Sequence, residues 1–148
     1  MYAASPIRTC GVPGKLVEIR QEGQRIVIHH EFMDVIREIH MDLKHPDNIS
    51  PGEMWLSIGR FERETLVIES VGFEESVISP HAADSGMLHS ENSKLVGRLM
   101  INLDNGDLEL SWTAENPSYF KGQLSDKLSF IKTELEVECY NCELEPFA

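Results

Sequence analysis

The residues that could do chemistry are few, and their spacing decides little. Cys139-Tyr140-Asn141-Cys142 is a single paired-thiol motif. A structural zinc site takes four ligands, usually from two such pairs or from one pair with histidines. No second pair exists, so Cys10, His81 or His89 would have to complete the set from a distance. A redox dithiol sits best at a helix N-terminus, which lowers a thiol pKa. Here Glu138 precedes the motif and Glu143 and Glu145 follow it, and neighbouring negative charge raises a thiol pKa. The motif therefore reads as buried or incidental cysteines, and no metal and no cofactor are expected.

His29-His30-Glu31 brings together three groups that could bind a metal or move protons. In a strand, however, adjacent residues point to opposite faces, so the two histidines cannot share a ligand unless the strand has ended. Ser57, Ser70, Ser79 and Ser85 lack a Gly-x-Ser-x-Gly context, and no Gly-x-Gly-x-x-Gly or Walker-type loop is present. The chain thus reads as non-enzymatic.

Charge is the more informative property. The 148 residues carry 25 acids against 13 bases, a formal net charge of -12. Residues 1–30 are slightly basic. Residues 61–90 hold Glu62, Glu64, Glu69, Glu74, Glu75 and Asp84 against the single base Arg63. Glu134, Glu136 and Glu138 alternate near the C-terminus as a second acidic row. Such a field repels phosphate backbones and anionic membranes, so nucleic acid and membrane are not expected partners. A basic protein is, because complementary charge speeds encounter and selects the partner.

These residues need elements to position them. Residues 1–14 read as an irregular arm. Val17 and Ile19, then Ile26 and Ile28, alternate with polar residues around Glu22-Gly23, which reads as a hairpin pairing Ile19 with Ile26. Phe32, Val35, Ile36, Ile39 and Leu43 fall at helical spacing up to Pro46, so a helix is expected over about 31–44. Strands follow at 54–59, with Trp55 opposite its apolar side, and at 65–73, where both sides are partly apolar as in a central strand. The stretch 80–93 is small, polar and aperiodic, and reads as a long loop.

Asp104-Asn105-Gly106-Asp107 suits a tight turn. The register it implies pairs Leu103 with Leu108, Ile101 with Leu110 and Leu99 with Trp112, all on one face. Residues 123–131 read as a short second helix, and Leu135, Val137 and Cys139 as the apolar side of a final strand.

The order implies one α+β domain over residues 1–148: a mostly antiparallel sheet of hairpins with the 31–44 helix packed on one face. The expected function is a small acidic intracellular, cytoplasmic binding protein that docks on and neutralises a basic protein. Its concrete form is an immunity protein inhibiting a nuclease-type toxin, with the two acidic groups named above as the contact residues. One alternative is a small ligand-binding protein or enzyme with a pocket between helix and sheet. Another is a subunit joined to a larger assembly through an edge strand.

Overall fold

The computed structural model describes residues 15–31, 34–44, 56–73, 76–77 and 88–138. They form ten strands: β1 (Val17–Glu22), β2 (Arg25–His30), β3 (Val35–His40), β4 (Leu56–Glu62), β5 (Thr65–Val71), β6 (Ser76–Val77), β7 (Leu88–His89), β8 (Lys94–Ile101), β9 (Leu108–Glu115) and β10 (Gln123–Phe130). Eight of them make one sheet in the order β1-β2-β3-β4-β5-β8-β9-β10, and β6 pairs with β7 in a separate ribbon. Every neighbouring pair in the large sheet is antiparallel except β3 and β4, which run parallel and share one register pair, His40 with Ile58.

The sheet curls into a half-barrel. Its edge strands β1 and β10 do not pair with each other, yet Val17 and Ile19 from one and Phe130 from the other border the same interior space. Alternation decides which side chains enter. Ile26, Ile28 and His30 of β2 share the concave face with Arg37 and Ile39 of β3, Leu66 and Ile68 of β5, and Leu95 and Leu99 of β8. Ile26, Ile28, Ile39, Leu66, Ile68 and Leu99 form one buried core. Phe73, Leu95 and Ala114 form a second, with Trp112, Leu124 and Leu128 packed against it. β5 is central and apolar on both faces: Leu66 and Ile68 point inward, and Val67 is fully buried between its register partners Arg60 and Arg98.

This all-β architecture corrects the α+β expectation. The expected helix at 31–44 is β3, and no α-helix occurs among the described residues. Val35, Ile36 and Ile39 suit a helical stripe by spacing, but β-branched residues favour strands. The inward positions of β3 are Val35, Arg37 and Ile39, so a buried arginine hides the period of two. The expected second helix at 123–131 is β10. There Leu124, Leu128 and Phe130 are the more buried positions, and exposed Asp126 interrupts the alternation. The expected final strand is absent over 131–138, where the chain follows no regular element and Leu135 is exposed.

Both hairpins keep the expected faces and shift register by two residues. In the first, Ile19 pairs with Ile28, and Gly23 turns the chain at φ 62°. In the second, Ile101 pairs with Leu108 and Leu99 with Leu110, leaving a six-residue connection at 102–107. Side-chain amides build that longer loop. Asn102 Oδ1 accepts from the Asp104 amide at 2.9 Å and Asn105 Oδ1 from the Asp107 amide at 3.0 Å, the asparagine-turn contacts that compete with a continued ladder.

Within the expected loop 80–93, Leu88–His89 is β7. Ser90 and Ser93 that follow it are buried and bonded, Ser90 Oγ donating to Asn116 Oδ1 at 3.1 Å. The 1–14 arm, residues 80–87 of the loop, Trp55 and the three cysteines lie outside the described residues.

Candidate functional site

The concave face encloses a cavity of about 50 Å³ lined by residues of β1, β2, β3, β5, β8, β9 and β10. That is room for roughly four water-sized groups at about 10–15 Å³ each. Its wall is apolar, built from residues such as Ile28, Ile68, Leu99 and Leu110, with two polar exceptions: His30 and Arg37. Both are held by the strand alternation described above, which turns every second residue of β2 and β3 inward.

Arg37 is only 7% exposed. Its Nε donates to Ser57 Oγ at 3.2 Å and its Nη2 to Ser70 Oγ at 2.7 Å, while the two hydroxyls share a hydrogen bond of 2.7 Å. Ser57 lies on β4 and Ser70 opposite it on β5. The guanidinium therefore reaches across the parallel β3–β4 seam, where the backbone register is a single residue pair. These contacts fix the group's orientation.

His30 is 6% exposed, and its Nε2 has no hydrogen-bond partner among the described residues. Burial pushes the imidazole pKa down to about 4, helped by the Arg37 charge and by His29. The ring is thus neutral at physiological pH. A buried polar atom left unbonded costs about 1–3 kcal/mol.

His29 faces the opposite side of β2, as alternation requires, and its Nε2 lies 2.6 Å from Asp34 Oδ1. Asp34 holds a left-handed backbone at φ 52°, a conformation short polar residues tolerate best. No group of three or more histidine, cysteine or acidic side chains is placed to hold a metal among the described residues.

The acidic residues expected to meet a partner are dispersed. Glu62 ends β4, Glu64 lies in the following turn and Glu69 is on β5. Glu62 binds Arg98 at 3.0 Å and Arg60 at 3.0 Å; Glu69 binds Arg60 at 2.7 Å and Lys94 at 3.4 Å. Hydrogen bonds from these bases hold both carboxyls below their ordinary range, Arg98 acting chiefly on Glu62 and Arg60 on Glu69. Glu134, Glu136 and Glu138 are exposed beyond β10 and form no ion pair among the described residues. Glu74, Glu75 and Asp84 lie outside the described residues.

Arg37 was unreadable as a site residue because helical spacing puts it on a solvated face. The one signal for it is the β-branched company of Val35, Ile36 and Ile39. The alternative pocket between a helix and the sheet is corrected in its walls: the space lies inside the curled sheet itself.

No protein-family model matches the chain, and neither a curated protein nor a solved structure is measurably similar to it.

Membrane crossing by a helix finds no vehicle among the described residues, none of which form a helix long and apolar enough to span a bilayer.

Proposed function

We propose that this protein binds a small molecule with a short apolar body in the concave cavity of its half-barrel. The observation that carries the reading is the cavity itself: an apolar pocket at the centre of the fold in which one buried nitrogen, His30 Nε2, has no hydrogen-bond partner among the described residues. Concave apolar sites with a few convergent polar groups are the usual form of small-ligand sites. The space between edge strands β1 and β10 supplies a mouth, because no ladder among the described residues closes it.

The test is methyl NMR on the intact protein titrated with n-butanol and with butanoate. The expected result is saturable shifts at the methyls of Ile28, Ile68 and Leu110, which the Leu110→Phe substitution removes by filling the space. Unmoved methyls with both compounds would overturn the reading.

Docking on a basic protein is a second reading. The net charge of -12 and the exposed Glu134, Glu136 and Glu138, which form no ion pair among the described residues, favour it. Its test is a pull-down at low and then high salt with the triple glutamine variant as control. One basic partner, lost at high salt and weakened by the variant, is the expected outcome; unchanged capture by the variant removes these glutamates from the contact.

A further inference from the structure

We infer that the cavity's ligand is a small alcohol, a neutral molecule whose hydroxyl bonds His30 Nε2 and whose hydrocarbon body lies on the apolar wall. The inference rests on the cavity reading above and adds the chemical class of the ligand.

Three observations carry it. The first is the setting of His30 on the concave face. It stands between its two register partners, Val17 of β1 and Val35 of β3, and the next inward residue of its own strand is Ile28. Hydrocarbon therefore flanks the ring on both neighbouring strands. Its Nε2 has no hydrogen-bond partner among the described residues, although the residue is only 6% exposed and borders the cavity. A ligand group that bonds this nitrogen adds a hydrogen bond at an atom already desolvated, which is favourable.

The second is the engagement of the other polar side chain in the wall. Arg37 lies diagonally from His30, but its guanidinium bonds Ser57 of β4 and Ser70 of β5, on the far side of β3 from β2. It belongs to the wall's own hydrogen bonding, and the head group of a ligand is left to His30.

The third is the chemistry of that nitrogen. Burial, helped by Arg37 and His29, keeps the imidazole neutral at pH 7. A neutral ring presents at Nε2 either a lone pair or an N–H, according to its tautomer. A hydroxyl both accepts and donates, so it meets either form. A carboxylate only accepts, and an ammonium only donates. Each ion would also exchange its hydration for a neutral partner, and a charge so placed is far costlier to bury than a hydroxyl.

The experiment uses n-butanol, butanoate and n-butylammonium, which share a hydrocarbon chain and differ in head group. Each is titrated into the full chain at pH 7, and NMR follows the cavity methyls and the His30 ring nitrogens. n-Butanol is expected to bind at least ~10-fold more tightly than either ion, because of that burial cost. It should move the His30 Nε2 resonance in step with the methyls. 1-Chlorobutane, which keeps the chain and lacks the hydroxyl, should move the methyls and shift Nε2 much less. His30→Leu should weaken n-butanol relative to 1-chlorobutane by roughly 2- to 10-fold, the range of one net hydrogen bond. Where that variant does not fold, the wild-type Nε2 shift decides alone.

Ions that bind as tightly as n-butanol, or an Nε2 resonance that n-butanol moves no more than 1-chlorobutane does, would overturn the alcohol assignment while the cavity reading stands. Methyls unmoved by every compound would overturn both.

Discussion

His30 remains neutral in the concave wall because burial removes the water that would solvate its cation and Arg37 opposes a second positive charge. Its pKa falls from 6.5 to about 4 on folding. Between those values the unfolded chain holds the proton and the native chain does not. Stability is therefore full above pH 6.5, declines as pH falls toward 4, and changes no further from this group below that. The loss is on the order of 3 kcal/mol. Urea midpoints at pH 7 and pH 4.5, compared between the wild type and His30→Phe, isolate it from the acid titrations common to both. The wild type should lose more stability on acidification; equal losses would mean the imidazole is not held neutral. Ser70 makes a separate test. In the Arg37 clamp its Oγ accepts a 2.7 Å hydrogen bond from Arg37 Nη2, so Ser70→Ala removes an acceptor from the buried guanidinium and should cost about 1–3 kcal/mol. Denaturant unfolding measures it, and a change within ~0.5 kcal/mol would mean the clamp carries little. At this scale alternation made the opposite facing of His29 and His30 legible. The inward facing of Arg37 was not, since an arginine in an apolar row is read as solvated until its hydroxyl partners, 20 and 33 residues away, are known.

The β3–β4 seam is the element most dependent on side chains, because its parallel register is a single pair. Gly59 is what lets the seam close. A Cβ there would lie 2.6 Å from Met41 Sδ and 2.7 Å from Ile39 Cγ2. Met41 can swing away, but Ile39 is branched and fully buried, so it has nowhere to move. Gly59→Ala should destabilise by about 1–3 kcal/mol through overpacking. Gly97, opposite Ile68 on the neighbouring side of β5, is the internal control: its added Cβ would meet Leu110 Cδ1 at 3.6 Å and Ile68 Cβ at 3.9 Å, ordinary contacts. Gly97→Ala should be neutral or stabilising by up to about 1 kcal/mol, as the alanine chain has less backbone freedom to lose. Thermal unfolding of the pair checks the contrast, and similar midpoints would remove the seam argument.

Elements were legible to different depths for one reason. A two-residue register shift preserves faces, so Ile19, Ile28, Leu99 and Leu110 could be placed inward even though both hairpin registers were off. Turn length was not legible, because Asn102 and Asn105 close the loop through side-chain bonds that composition alone does not count. In β3 and β10 the period of two is interrupted by Arg37 and Asp126, and helical spacing then matched the remaining apolar residues better than strand spacing did. The cavity depended on something no single strand encodes, the curl that brings β1 and β10 to the same space.

Over the whole molecule the excess of acid sets the long-range behaviour. The convex ion pairs around Glu62 and Glu69 involve half-exposed arginines, and such pairs contribute about 0–1 kcal/mol each. They leave the net charge of -12 in place, and self-repulsion of that size works against the compact state. Raising salt from about 0.01 M to about 0.1 M shortens the screening distance from about 30 Å to about 10 Å. Repulsion summed over the surface should weaken more than contacts near 3 Å, so the thermal midpoint should rise. A fall would show that the ion pairs outweigh the repulsion. The same salt series separates the two functional readings by sign. A ligand in the buried apolar cavity is held chiefly by hydrocarbon contact, so the affinity for n-butanol should hold or rise with salt. A basic partner is drawn in by the exposed acids, so its affinity should fall steeply over the same range. Butanoate binding that collapsed with salt would place the anion on exposed charge rather than in the cavity, whatever its affinity at low salt.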